Sequence, residues 1–90
     1  MKKVFKYTFA NPWVNTFEIP KNAEILCVQS IGEVTQMWCK VDVNEPTEKR
    51  TFVTIGTGHE FDDSDKTYIG TTQEDIYVWH IFEITGANEK

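Results

Sequence analysis

The sequence predicts an all-β domain, a small antiparallel meander of about six to seven short strands closing into a barrel or sandwich. Three observations predict it. No segment keeps a 3.6-residue apolar period for three turns. The apolar runs are rich in β-branched and aromatic residues, which fit a pleated surface. Gly, Pro and Asn punctuate the chain at short intervals, leaving no room for crossover helices. The 90 residues make a single domain spanning the whole chain, with no repeat and no linker.

The elements follow in order. Val4 to Phe9 alternates, with Phe5, Tyr7 and Phe9 on one face and Lys6 and Thr8 on the other. Asn11-Pro12 ends that run, and Thr16 to Ile19 is a short strand closed by Pro20, which cannot donate to a central ladder and marks an edge or a strand end. Lys21-Asn22 is a turn. Ile25 to Ile31 and Val34 to Val41 read as a hairpin about Gly32-Glu33. A two-residue turn there sets Leu26 opposite Cys39 and Cys27 opposite Trp38, so the thiols point to opposite faces and no disulfide forms. Both read as inert, buried thiols.

Asp42 to Glu48 is a polar connection, and Lys49 to Gly56 a strand. Thr57 to Asp65 is irregular, Lys66 to Gly70 a short strand, and Thr71 to Asp75 a turn. Ile76 to Ile84 carries the strongest strand signal, and residues 86–90 form a tail. Both faces of the last strand are apolar as far as Ile81. An antiparallel sheet with one wet face shows a polar side instead. Both faces are therefore covered, and a second subunit is the expected cover: a homo-oligomer, with a tetramer as the working expectation. The alternative cover is the chain's own loops.

Composition narrows the function. The chain is 40% hydrophobic and 26% charged, which places it among globular rather than disordered chains. Its net charge is −5 and its one arginine is Arg50. Polymeric nucleic acid needs a Lys/Arg field to displace counterions and is not expected as a partner. The basic start, Met1-Lys2-Lys3, has no apolar stretch behind it, so neither a signal peptide nor a membrane span is expected, and the cytoplasm is the expected location. Three Trp, three Tyr and six Phe are more large apolar surface than so small a core hides, and some of it should face a partner or ligand.

The segment Thr54-Ile55-Gly56-Thr57-Gly58-His59 carries the clearest site signal. It leaves a strand, sets glycines on either side of a threonine and ends on a histidine. Such glycines let consecutive backbone N–H groups converge on a phosphate, with Thr57 adding a hydroxyl and His59 a ring donor or stacking plane. The plainer reading is an ordinary turn. Arg50 starts the same strand about 20 Å away, and meets the same ligand only across a subunit or through curvature. Trp13, Trp38, Tyr68, Tyr77 and Trp79 are the aromatic planes on which bases could stack.

Other features favour plainer readings. The run from Glu60 to Asp65 lacks the spacing of a calcium loop and reads as solvated acid. His80, on an apolar strand face, reads as a satisfied core residue, and its pairing with His59 has no metal-site spacing. Glu18, Glu33 and Glu83 have nothing that singles them out. No nucleophile with a base, no carboxylate pair and no tuned lysine is legible. The chain is read as a binding protein without catalytic residues, metal or cofactor, although a small phosphodiesterase remains an alternative.

Several segments together resemble a known family: Ile19-Pro20-Lys21, Ile25-Leu26-Cys27-Val28-Gln29, Trp38, Arg50-Thr51-Phe52, Gly56-Thr57-Gly58-His59, Tyr68-Ile69-Gly70-Thr71 and Val78-Trp79-His80-Ile81-Phe82-Glu83. The pattern is similar to a large group of short tailed-bacteriophage proteins classed as a domain of unknown function. Such proteins resemble the anti-CBASS nucleotide sponges, oligomeric β-rich proteins that hold cyclic oligonucleotide signals such as 3′,3′-cGAMP without cleaving them. The resemblance implies immune evasion in the cytoplasm of an infected bacterium and a cyclic di- or trinucleotide ligand. On that reading Arg50 and Gly56-Thr57-Gly58 hold phosphates, with Thr54 and His59 beside them, and Trp38, Tyr68 and Trp79 stack on bases. A second hypothesis is an acidic inhibitor that docks on a host defence protein.

Overall fold

Alternating burial along each strand decides which side chains meet. In the computed structural model, which describes residues 1–86, seven strands run β1 (Lys2–Thr8), β2 (Val14–Pro20), β3 (Glu24–Ile31), β4 (Val34–Asp42), β5 (Thr47–Gly56), β6 (Lys66–Glu74) and β7 (Tyr77–Ile84). Residues 87–90 of the expected tail lie outside the described part. One sheet has the order β1-β4-β3 and the other β2-β5-β7-β6, with every pair antiparallel. The result is a sandwich, 18 Å along its shortest axis, as two packed sheets about 10 Å apart require. Only β3–β4 and β6–β7 are hairpins. The β1–β2, β2–β3 and β4–β5 connections pass between sheets and β5–β6 steps over β7 within one sheet, so β1 pairs with β4 and β2 with β5, a more crossed path than a meander.

The core is the inward row of each strand. Ile19 of β2, Met37, Cys39 and Val41 of β4, Phe52 of β5 and Ile81 of β7 are fully buried. Phe9 and Phe17 lie against Phe52 with ring centroids 6.1 Å apart in each pair, tilted in the geometry aromatic pairs favour.

Local backbone chemistry sets the hairpins. Gly32 and Glu33 both have positive φ, 59° and 67°, the signature of the two-residue turn whose twist matches the flanking strands. Cys27 pairs with Trp38 as expected, but Ile25 rather than Leu26 pairs with Cys39. The extra residue is a bulge at Leu26. It lets both Ile25 and Val28 face the core and leaves Leu26 exposed. Cys27 is exposed, so only Cys39 is the buried thiol expected of both.

Strand β6 corrects a second expectation. Thr71 to Glu74 continue the strand, and Asp75-Ile76 make the turn, with Asp75 at φ 57°. The run looked like a turn because a sheet-edge strand with a wet outer face needs little apolar alternation. On β7, the chain's own residues cover part of the outer face: Phe61 from the 57–65 loop packs on Phe82 at 4.9 Å and Tyr68 meets it edge-on at 5.6 Å.

A largely buried ion pair crosslinks β5 and β7 near one end of the sandwich. Arg50 donates from Nε to Glu83 Oε2 at 2.6 Å and from Nη2 to Glu83 Oε1 at 2.8 Å, while Nη1 donates to the Ala23 carbonyl at 3.0 Å. The pair joins β5 to β7 and reaches the segment entering β3. A forked guanidinium matches a carboxylate in this way, and a lysine could not reproduce it.

Two predictions follow from the packing. Removing one partner leaves the other charge buried alone, so Arg50→Ala or Glu83→Ala lowers unfolding stability in urea by about 3–5 kcal/mol. The double variant Arg50→Met/Glu83→Leu should recover most of that loss. Burial also pushes the Cys39 thiol up to about 11 from 9.0. Between those pH values the unfolded chain holds fewer protons than the folded one. Stability is therefore full below pH 9 and falls toward pH 11, by on the order of 2 kcal/mol. Unfolding curves of Cys39→Val across this range should be flatter than the parent's.

Candidate functional site

The other end of the sandwich is open. Thr54, Gly56 and Trp79 share the inward face there, since Thr54 pairs with Ile81 and Gly56 with Trp79. The 9–13 loop and the start of β4 form the opposite wall of a cleft of about 370 Å³, lined among others by Pro12, Trp13, Glu33, Val34, Glu74 and Trp79.

Two asparagines build the wall that carries Trp13. Asn15 is buried, and its Oδ1 accepts from the amides of Ala10 and Asn11, both at 3.0 Å. Its Nδ2 donates to the Asn11 carbonyl at 2.8 Å. Asn11 Oδ1 in turn accepts from the amides of Trp13 at 2.8 Å and Val14 at 3.1 Å. Side-chain oxygens here replace the ladder partners that an irregular segment lacks. The Trp13 carbonyl accepts from the Thr54 amide at 2.9 Å, which fixes the loop to β5.

Trp13 is thus presented with half of its surface exposed, edge-on to Trp79 at a centroid distance of 5.8 Å. Tyr77 stacks on Trp79, also at 5.8 Å, with an interplanar angle of 22°. Glu74 Oε1 accepts from the Trp79 indole Nε1 at 3.2 Å. Glu74 Oε2 has no partner among the described residues.

A second cavity, of about 530 Å³, lies on the far side of Trp79 and is lined by Gly56, Thr57, His59, Ile76, Tyr77, Val78 and Trp79. His59 closes over Gly56. A Cβ placed there would stand 3.0 Å from His59 Cε1 and 3.2 Å from Trp79 Cζ3, so glycine is what lets the two rings approach the strand. Gly58 has φ 90°, a conformation that L side chains rarely adopt.

Two of the amides expected to converge on a phosphate are engaged within the fold. The His59 amide donates to the Gly56 carbonyl at 3.1 Å and the Thr57 amide to the Val78 carbonyl at 3.4 Å. Both N–H groups are used inside the turn and do not converge on an anion. The Thr57 hydroxyl faces the outer side of the sheet. It donates to the Val78 carbonyl at 3.2 Å and lies 2.8 Å from His80 Nε2. His80 Nδ1 lies 3.1 Å from the Thr71 hydroxyl, which is also hydrogen-bonded to the Tyr68 hydroxyl. His80 is therefore hydrogen-bonded to side chains on a half-exposed face, not a core residue bonded to backbone. It lies on the opposite face of the sheet from His59.

Of the sequence candidates, Thr54 and Trp79 line the first cleft, Gly56, Thr57, His59 and Trp79 line the second cavity, and Gly58 sits in the turn beside it. The structure places three other sequence candidates elsewhere. Arg50 lies toward the other end of β5, engaged with Glu83. Trp38 is half-buried on the outer face of the other sheet, between Lys6 and Cys27. Tyr68 is on the outer face beside Phe82. Sequence reasoning missed the role of Glu74 and gave Trp13 no special place. The Asn11-Pro12-Trp13-Val14-Asn15 spacing was the available signal, since two asparagines four apart can brace a loop.

Comparison with known proteins gives a family but no function. A family model described as a domain of unknown function (DUF7352) matches residues 1–90. No curated protein and no solved structure matches the chain. The chain belongs to the DUF7352 family.

Proposed function

We propose that this domain is a non-catalytic binding protein that takes up a ligand carrying planar rings in the cleft that Trp13 and Trp79 help to line. The resemblance to short phage proteins supplies the ligand class: cyclic oligonucleotide signals, held intact and kept from a host effector inside the infected cell. The observation that carries the reading is the braced Trp13 opposite Trp79 at the mouth of the sandwich. Stacking on aromatic planes contributes about 1–3 kcal/mol per base.

The cleft suits bases better than phosphates. Its charged lining residues are Glu33 and Glu74, with no lysine or arginine among them. Phosphates would then lie toward solvent or against a neighbouring copy, and homo-oligomerisation belongs to this reading for that reason. The same acidic lining, with the net charge of −5, supports a second reading, in which the cleft takes a basic segment of a host protein.

Calorimetric titration with cyclic di- and trinucleotides, followed by heat denaturation and analysis of the released ligand, separates the readings. Sequestration predicts binding, recovery of intact nucleotide and about a tenfold or greater loss of affinity in Trp13→Ala and Trp79→Ala. Trp38→Ala should bind like the parent. Cleaved nucleotide would make the protein a phosphodiesterase. Absence of binding to every nucleotide would remove the sponge reading and leave the basic-segment partner.

A further inference from the structure

We propose that Glu74 makes this cleft select guanine over adenine, an inference that rests on the cleft being a site for bases. Three features of the cleft converge on it. Glu74 is half-buried at the end of β6, so its carboxylate is partly removed from water without being sealed off. Its Oε1 is oriented by the Trp79 indole N–H at 3.2 Å, which fixes the carboxylate beside an aromatic ring. Its Oε2 has no partner among the described residues, and each carboxylate oxygen retains lone pairs for further donors.

A carboxylate held at the edge of a stacking site reads the edge of whatever stacks there. Guanine offers two adjacent donors, the ring N1–H and the exocyclic N2–H₂, which a carboxylate accepts side by side through charge-assisted hydrogen bonds. Adenine offers one donor, its N6 amino group, next to the N1 lone pair. That lone pair would face Glu74 as acceptor against acceptor, and the partly buried carboxylate would lose water without gaining a partner. The plane comes from Trp13, exposed over half its surface, and the slot between its loop and β7 holds about 370 Å³, enough for a purine.

A guanidinium group has the same two-donor edge and could stack in the same place, so an arginine-rich protein segment is the competing occupant. Guanine is favoured because the half-exposed Trp13 indole offers a stacking face of bicyclic size. A bicyclic ring covers more of it than a guanidinium does.

Glu74→Gln is the informative substitution. The glutamine oxygen can still accept from Trp79 Nε1, which preserves the local fold, but the second position becomes an N–H₂ donor. That edge can make two hydrogen bonds with adenine (N6–H and N1) as well as with guanine (N1–H and O6), so the advantage of guanine is lost. Affinities would be measured by calorimetry for cyclic di-GMP, cyclic di-AMP, GMP and AMP, with an arginine-rich peptide as a further arm, on the parent and on Glu74→Gln.

The proposal predicts that each guanine ligand binds the parent at least about tenfold more tightly than its adenine counterpart, and that Glu74→Gln abolishes the preference. Equal binding of guanine and adenine ligands would overturn the selection and leave the cleft as a general base site. A preference that survives in Glu74→Gln would overturn the role of Glu74. Binding of the peptide with no binding of any nucleotide would overturn this inference together with the sponge reading.

Discussion

The Arg50–Glu83 pair is the constraint on which the arrangement of the two ends depends. It is buried, doubly hydrogen-bonded and tied to the Ala23 carbonyl, so it joins the central strands of one sheet to the chain entering the other. A charge pair in such a place must be satisfied completely or it destabilises the fold. Satisfying it ties β5, β7 and the start of β3 together near one end. Strands β5 and β7 run from that end to the other, so Gly56 and Trp79 come to lie where the sheets part. Arg50, a ligand candidate in the sequence, is engaged by Glu83, and the candidate cleft lies about 20 Å further along the same strand.

The open end is held by short-range polar chemistry instead of charge. Asn11 and Asn15 occupy the backbone donors of a loop that has no ladder to join, and this keeps Trp13 half out of the protein. An exposed indole is costly for a small domain to maintain, and bracing it so thoroughly is hard to explain by stability alone. The glycines contribute by clearance: Gly56 admits the His59 and Trp79 rings, while the amides around it are used by the turn. Together these features hold Trp13 beside Trp79 at the mouth of a cleft whose charged lining residues are Glu33 and Glu74.

Much of the fold was legible because strand alternation is a local property. The Gly32-Glu33 turn, the alternation of β5 and β7 and the Pro20 strand end all stand in the sequence as neighbours. Features that need distant partners were not. Glu83 looks like any strand glutamate until Arg50, 33 residues away, is seen against it. Strand β6 was cut short because its outer face is polar, and the bulge at Leu26 was hidden because either register keeps an apolar residue opposite Cys39. At the candidate site, Thr54, Gly56, His59 and Trp79 were recoverable from strand parity. Trp13 and Glu74 were not, because a loop and a sheet edge bring them to Trp79.

The central claim is that the Trp13–Trp79 cleft is where the ligand goes. Nitrogen-15 NMR of the three tryptophan indole N–H groups during titration with a cyclic dinucleotide tests it most directly, since each indole reports one location. The account predicts that the Trp13 and Trp79 signals shift together and saturate while Trp38 stays in place. A saturable shift of Trp38, with Trp13 and Trp79 unmoved, would contradict it.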